Sequence, residues 1–169
     1  MRYRRATPLD WRDLARLVRA AFPVASFGPM SDGQIAWYCR ELGPHVRLLL
    51  DDSVAFSRSL VGASIVVPRP AQRCAWLELL AVAPGQQGRG IGQQLLDLAE
   101  AATSSAGFPH LDLAVATHNE GAIRFYERRG YHRVGDEPTD ALDRGSRWRY
   151  SKALTAATFA PSAALGLQA

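Results

Sequence analysis

The sequence is poor in lysine and cysteine. Lys152 is the only lysine among twenty basic residues, so arginine carries nearly all of the positive charge. The two cysteines, Cys39 and Cys74, form no C-x-x-C pair and have no histidine at metal-ligand spacing. We therefore expect two structural cysteines and no metal site.

Long apolar runs are missing as well. No stretch reaches the roughly 18 apolar residues that a membrane-spanning helix needs. The segment from Met1 to Ala6 is basic and leads into a polar stretch, whereas a signal peptide needs an apolar one. We therefore expect a cytoplasmic protein without a membrane partner. The arginines are scattered, so we expect no nucleic-acid partner either, and the net charge of +4 fits a mild preference for anionic ligands.

The composition that remains is that of one globular domain, with 169 residues, 47% of them hydrophobic and 21% charged. The predicted strands are 2–6, 46–51, 53–57, 60–67, 74–83, 110–117, 131–134 and 146–154, and the second and third can be one bent strand. The first two predicted helices begin after Thr7 and after Ser31. The third runs from the glycine-rich turn to about Ala106, and the fourth spans 119–129. This order predicts an α/β (α+β) fold in which a central mixed, mostly antiparallel sheet of six to seven strands is flanked by about four helices. We expect one domain over 1–154 and an Ala-rich, uncharged tail over 155–169 that is flexible or used in association.

The segment from Trp76 to Leu96 reads as a buried strand, a glycine-rich turn and a helix. Gly88, Gly90 and Gly92 allow backbone N–H groups to approach a ligand without obstruction by a Cβ atom. Because they lie where a helix begins, unpaired donors and the positive end of the helix dipole converge there. This predicts an anion site suited to a pyrophosphate. The spacing does not match G-x-G-x-x-G, and the Gly-Lys-Ser/Thr ending of a mononucleotide loop is missing.

Two motifs resemble one known family. The run Gln87-Gly-Arg-Gly90-Ile-Gly92 is similar to the acyl-CoA loop, Gln/Arg-x-x-Gly-x-Gly/Ala, of the GNAT family of N-acetyltransferases. The run from Asn119 to Tyr131 resembles that family's N-x-x-A-x-x-F/L-Y-x-x-x-G-F helix, with tyrosine in place of the usual final Phe. The resemblance implies the GNAT fold and direct transfer of an acetyl group from acetyl-CoA to a primary amine of a small molecule or peptide.

The resemblance also implies where acetyl-CoA binds. It would lie in a V-shaped opening between the strand around Leu80 and the strand 110–117, with its pantetheine arm on backbone groups of Leu80, Ala81 and Val82. Asn119 would hold the arm near the thioester. The loop would hold the pyrophosphate through its amides, with extra charge from the arginine: Gln87, Gly88, Arg89, Gly90, Ile91, Gly92 and Gln93.

The transfer needs a proton donor for the leaving thiolate and a proton acceptor for the amine. Tyr126 falls at the family's tyrosine position and is the candidate general acid; the alternative is a core aromatic residue on the helical stripe of Ala122 and Ile123. For the general base we nominate Glu78. His118 and a water molecule remain alternatives.

Glu78 is nominated because of its apolar neighbours. In an alternating strand it would share a face with Trp76, Leu80 and Val82, and apolar surroundings make a carboxylate a better proton acceptor. The alternative is a strand-end carboxylate paired with an arginine.

The acceptor is less well indicated. Four acidic residues in the loop before the last strand would attract a cationic amine or form a solvated surface: Asp136, Glu137, Asp140 and Asp143. The stretch 22–30 is a candidate for the opposite wall. A non-catalytic module that binds or senses acyl-CoA is the alternative function, and homodimerisation, which is common in the family, is left open.

Overall fold

The computed structural model describes residues 2–22, 31–41, 46–51, 59–137 and 146–154. Within these ranges the helices are α1 Trp11–Ala21, α2 Asp32–Glu41, α3 Ile91–Ser105 and α4 Glu120–Glu127. The strands are β1 Arg2–Arg5, β2 Val46–Asp51, β3 Ser59–Arg69, β4 Cys74–Val82, β5 His110–Ala116, β6 His132–Glu137 and β7 Arg147–Ala153.

All of these strands belong to one sheet of seven, in the order β1-β2-β3-β4-β5-β7-β6. Neighbouring strands are antiparallel except for β4 and β5, which pair in parallel. A parallel pair needs a crossover connection, and α3 provides it. The predicted fold class, a mixed sheet flanked by four helices, is confirmed.

Successive strand residues enter different apolar clusters, which shows that helices cover both faces of the sheet. Leu48 packs in a cluster with α1 and α2, whereas Leu49 packs with Leu95 of α3. Leu113 of β5 packs with α3 and with Tyr126 of α4. We call the first side the α1–α2 face and the second the α3–α4 face.

The helix starts follow the sequence signals. Pro8–Asp10 forms a 3-10 turn before α1, in which the Asp10 carboxylate accepts hydrogen bonds from the backbone N–H of Thr7 at 2.7 Å and from its hydroxyl at 2.8 Å. At α2 the Gln34 N–H donates to Ser31 Oγ at 3.1 Å, and the Ser31 N–H donates to Gln34 Oε1 at 3.3 Å. Both reciprocal caps agree with the predicted helix starts.

The structure differs from the prediction mainly at element ends. α4 is shorter than 119–129, because Asn119 is its cap and Gly130 has the left-handed φ of 82° that ends a helix. β6 is longer than 131–134, because its pairing with β7 continues beyond a bulge at Val134 to Glu137. The predicted strand 53–57 and the tail 155–169 lie outside the described residues.

Candidate active site

β4 and β5 pair over only a short distance. The paired residues are Ala75 with Leu111, Trp76 with Asp112 and Leu77 with Leu113. Both strands continue, to Val82 and to Ala116 respectively, but no pairing between them follows in the described chain. Beyond Leu77 the β4 edge that faces β5 therefore has no strand partner, as the predicted V-shaped opening requires.

A β-bulge lies where this pairing ends. On β3, Ile65 pairs with Leu79 and Val66 pairs with Leu77, so Glu78 is an extra residue with no partner on β3. A bulge interrupts the alternation of side chains between the two faces of a strand. The strand that the sequence suggested as a regular ladder is therefore broken at the predicted general base.

The bulge corrects the predicted surroundings of Glu78. Leu80 and Val82 pack against α3, whereas Leu79 and Ala81 belong to the α1–α2 cluster. Glu78 faces Tyr38 of α2, so it lies on the α1–α2 face and does not share a face with Leu80 and Val82. The prediction assumed that side chains alternate between the two faces without interruption. The extra residue exchanges the faces that this alternation gives to the residues after it.

The immediate partner of Glu78 is the Tyr38 phenol. Burial and the Glu78 carboxylate raise the pKa of the Tyr38 hydroxyl, so it stays protonated and can donate a hydrogen bond to that carboxylate. Within the described residues Glu78 forms no ion pair with an arginine, which removes support from the alternative of a strand-end salt bridge. The sequence did not single out Tyr38, because its place on the apolar stripe of α2 gave it the appearance of a core residue.

The glycine-rich loop carries a run of free backbone donors. Gly88 and Gly90 have φ values of 75° and 78°, and Gly90 immediately precedes α3. In the described part of the chain, the N–H groups of residues 88–93 donate no hydrogen bond, and the first intrahelical bond runs from Gln94 to the Gly90 carbonyl. The Gln87 N–H differs, because it is within 3.4 Å of the Pro84 carbonyl oxygen. Six successive amides at a helix N-terminus fit a pyrophosphate.

Side chains fix this loop on both sides. The Gln87 amide donates to the Val82 carbonyl oxygen at 3.3 Å and ties the loop to the end of β4. Arg89 donates to Gln86 Oε1 at 2.6 Å, and its side chain remains exposed. No acidic residue lies in the first turn of α3. The positive end of the helix is therefore not neutralised by a side chain there, as anion binding requires.

Asn119 begins α4. Its Oδ1 accepts a hydrogen bond from the Ala122 N–H at 3.1 Å. This contact occupies the carbonyl side of the amide, so a ligand would meet the Nδ2 donor of Asn119. The residue thus acts as an ordinary N-cap while keeping one polar group for another partner.

Tyr126 is deeply buried, with 8% of its surface exposed. Its ring packs edge-on against Phe125 and Tyr131, with centroid distances of 5.1 Å and 5.6 Å. Burial raises the pKa of the Tyr126 phenol, and the nearby Arg129 charge opposes this increase. The phenol is therefore protonated at neutral pH, the state that a general acid requires.

Arg129 links α4 to the glycine-rich loop and was not singled out from the sequence. Its guanidinium lies 3.8 Å from the Phe125 ring centroid and donates to the Phe125 carbonyl oxygen at 3.0 Å. It also donates to the Gln93 side chain at 3.1 Å. The Phe125 ring lies 3.6 Å from the place where a Cβ of Gly92 would stand. An isolated arginine next to a motif glycine gives no pattern by which the sequence could have indicated this link.

The remaining predicted residues are dispersed. Ile91 is a core residue, 2% exposed, and contributes only its backbone N–H to the loop. His118 is exposed in the turn before α4. Asp136 forms an exposed ion pair with Arg133 at 2.7 Å. Asp140, Asp143 and the stretch 23–30 lie outside the described residues. None of the helices described is both long and apolar enough to cross a membrane.

Comparison with known proteins begins with a mycothiol acetyltransferase from Jonesia denitrificans. The two sequences are 32% identical over 78 residues, which are 46% of this chain and 25% of that protein. The match thus spans only a quarter of the relative's length.

Solved structures resemble the chain over a larger part of its length. A chain of the NatC complex bound to Gag peptide and CoA has a TM-score of 0.76 at 18% identity, covering 91% of this chain and 98% of that one. Diaminobutyrate acetyltransferase from Paenibacillus lautus, in complex with L-2,4-diaminobutyric acid and coenzyme A, has a TM-score of 0.73 at 15% identity, covering 90% and 94%. At these identities the likeness shows a shared fold.

The model of one protein family, the acetyltransferase (GNAT) family, matches residues 11–131. This range is more than half of the chain and includes α1, the β4 bulge, the glycine-rich loop and Tyr126. The resemblance stated from the two motifs is confirmed: the chain belongs to the GNAT acetyltransferase family.

Proposed function

We propose that this chain transfers an acetyl group directly from acetyl-CoA to a primary amine of a small molecule or peptide. One observation carries the proposal: the pairing of β4 with β5 ends at Leu77, directly before the bulged Glu78. The free amides that follow β4 would supply an anion site on the same strand-to-helix connection. Membership of the acetyltransferase family supports the same reaction class.

Acetyl-CoA would bind along the unpaired part of β4. Backbone groups of Leu80, Ala81 and Val82 would pair with the pantetheine arm, and Asn119 Nδ2 would donate to it. The amides of residues 88–93 and the exposed Arg89 would hold the pyrophosphate. The two compared structures contain CoA, which supports this assignment.

The chemistry then requires three proton transfers. The Glu78 carboxylate would take a proton from the acceptor ammonium, directly or through a water molecule, and free its lone pair. The nitrogen would attack the thioester carbonyl carbon, with a backbone N–H near Leu80 or Val82 stabilising the oxyanion. As the C–N bond forms and the C–S bond breaks, the thiolate would take the Tyr126 proton, and the acetylated nitrogen would release its second proton through water to the resulting phenolate, which restores Tyr126. The products are an N-acetylated amine and CoA with a free thiol.

Thermal denaturation with acetyl-CoA, CoA and NAD side by side tests the binding step. A ligand at a hundred times its Kd adds about 3 kcal/mol of stability, which raises the Tm of a chain of this size by about 6–10 °C. We expect this increase with the two CoA species and none with NAD. An equal response to NAD, or none to CoA, contradicts the proposal.

Thiol release against a panel of amines and peptides tests the reaction. We expect turnover that falls about 100-fold in Tyr126→Phe and in Glu78→Gln, with CoA still raising the Tm of both variants. Stabilisation by CoA without turnover of any acceptor would instead support the acyl-CoA-sensing module.

A further inference from the structure

Two arginine side chains lie against the ring of Trp76. The Arg69 guanidinium carbon is 4.0 Å from the ring centroid, and that of Arg149 is 5.6 Å away. Trp76 is 5% exposed but belongs to none of the apolar clusters formed by the described residues. Cationic groups therefore contribute to the burial of its ring, and the region is a charged aromatic platform.

Only one of the two arginines has a carboxylate partner in the described chain. Arg149 donates to Asp112 Oδ2 at 2.5 Å, and Ser151 donates to the other oxygen of that carboxylate at 2.6 Å. Asp112 thus neutralises Arg149. Among the residues that the structure describes, Arg69 forms no ion pair and no side-chain hydrogen bond. Its planar fork of donors is therefore free for a carboxylate, which it fits with two parallel hydrogen bonds.

This platform lies next to the proposed general base. Trp76 and Glu78 are two residues apart on β4, which places their Cα atoms about 7 Å apart. Arg69 and Glu78 both act on Tyr38, since the Glu78 carboxylate raises the pKa of that phenol and the Arg69 charge lowers it. Tyr38 is therefore within electrostatic reach of both side chains, which places Arg69 and Glu78 on the α1–α2 face.

On the opposite face the Tyr126 phenol is already assigned to the leaving thiolate. The strands there are covered by an apolar cluster of α3 and α4 that includes Leu96. A polar acceptor would therefore reach the thioester from the α1–α2 face. On that face the amine of the acceptor would meet Glu78, and an anionic group of the acceptor would meet Arg69.

We propose that Arg69, stacked on Trp76, binds a carboxylate of the acceptor, so that the preferred substrate is a compact amine that also carries a carboxylate, as an amino acid does. This inference rests on the proposed function and narrows its acceptor class. It assigns Arg69 a role in specificity. Glu78 then receives the amine of the acceptor, and Arg69 binds its carboxylate.

The test compares amino acids with their carboxamides in the thiol-release assay. A charged hydrogen-bonded contact contributes about 1.5–3 kcal/mol, so we expect kcat/KM to be about 10- to 100-fold higher for the free carboxylates. Arg69→Gln should remove this preference by lowering kcat/KM for the acids while leaving the amides within about twofold. Arg69→Lys should keep part of the preference, because it keeps the charge but loses the fork.

Arg12→Gln is the matched control. Arg12 also stacks on a tryptophan, at 5.1 Å from the Trp11 ring centroid, but it lies on the exposed side of α1. The variant loses the same charge and a similar stacking contact, so its preference for carboxylates should equal that of the parent chain. A preference that falls equally in both variants would reveal a general charge effect and overturn the inference.

The remaining outcomes separate the inference from the proposed function. If CoA raises the Tm and amides are acetylated as well as acids, the proposed function stands and the role of Arg69 is wrong. If CoA does not raise the Tm, the proposed function fails and the inference fails with it. If CoA binds but no acceptor reacts, the Tm in the presence of CoA is measured with and without amino acids. An equal increase in Tm for the parent chain and for Arg69→Gln overturns the proposal.

Discussion

Arg129 donates a hydrogen bond to Gln93 at 3.1 Å and so joins the end of α4 to the first turn of α3. The same guanidinium stacks on Phe125, whose ring closes over Gly92. The helix that carries the proposed general acid is thereby held against the helix whose N-terminus forms the proposed phosphate site. One arginine thus supports both the proposed phosphate site and the proposed general acid.

Replacement of Arg129 by Gln should weaken CoA binding about three- to tenfold, because α4 loses its tie to α3 and the loop loses a nearby positive charge. Isothermal titration with CoA measures the change. Arg124→Gln is the control, since Arg124 lies on α4 close to Arg129 in the sequence, and its side chain forms only an exposed ion pair with Glu120 at 2.9 Å within the described chain. Equal Kd values for the two variants would contradict the role given to Arg129.

Replacement of Gly90 by Ala should raise the Kd for CoA at least about tenfold. Its φ of 78° strains any residue with a Cβ, at a cost of about 1 kcal/mol, although no protein atom lies within 4 Å of the added group. Gly107→Ala is a close control, because φ is 80° there and the space is equally open, but Gly107 follows the other end of α3. Both variants should lose similar stability, and only Gly90→Ala should lose CoA affinity. Unchanged CoA affinity in Gly90→Ala would refute the phosphate-site assignment.

The activity should not fall at alkaline pH on account of Tyr126. An exposed tyrosine loses its proton near pH 10. Because burial raises the pKa of the Tyr126 phenol, the proton that it donates is still in place at pH 9.5. We therefore expect a kcat that is level between pH 8 and about 9.5, and a Tyr126→Phe variant with lower kcat throughout. An alkaline limb below pH 9 that disappears in Tyr126→Phe would show that the phenol titrates normally.

Lys152 should be important for stability. Its Nζ lies 2.7 Å from Glu100 Oε2, while the Tyr131 hydroxyl donates to Glu100 Oε1 at 3.1 Å. Since Glu100 is 8% exposed, Lys152→Met leaves a buried carboxylate without its cation, and we expect a loss of about 2–4 kcal/mol in urea unfolding. Adding Glu100→Gln should recover part of that loss. Arg16→Met, which breaks an exposed pair with Asp13, should cost less than about 0.5 kcal/mol.

Acid should destabilise the chain through Asp10. The Arg4 guanidinium, which donates to both carboxylate oxygens, and the Thr7 donors lower the pKa of Asp10 to about 2, against an unfolded value near 3.9. The contribution is therefore complete above about pH 4 and is lost as the pH falls towards 2. Asp10→Asn should cost about 2 kcal/mol at pH 7 and much less at pH 2, as measured by urea unfolding at both values. A cost that does not depend on pH would show that the ion pair is not its source.

The sequence predicted the fold well because its local signals agree with one another. Proline after Thr7, the reciprocal cap at Ser31 and the glycine at 130 mark the ends of helices that the apolar period also predicts. The ends of β6 and α4 could not be read from the pattern. They depend on pairing with β7 and on capping by Asn119, which are set by tertiary contacts and not by the period.

The candidate site was predictable where a motif dictates backbone geometry. The glycines at 88 and 90 have the positive φ values that the loop needs, and Asn119 and Tyr126 occupy the two ends of α4. The predicted face of Glu78 was wrong, because a bulge of one residue cannot be recognised in the sequence of an apolar strand. The contacts of Tyr38, Arg69 and Arg129 join distant segments, so no local pattern indicates them.

The bulge at Glu78 adds a side chain to β4 without changing the faces of Leu77 and Leu79 on either side of it. Removal of Glu78 would make Leu77 and Leu79 consecutive residues opposite Val66 and Ile65, so the ladder would become regular and every later β4 side chain would keep its face. Leu80 and Val82 would still pack against α3, and only the unpaired residue that faces Tyr38 would be lost. A bulge of one residue thus adds a polar side chain to one face of an apolar strand while the packing of both helical layers stays unchanged.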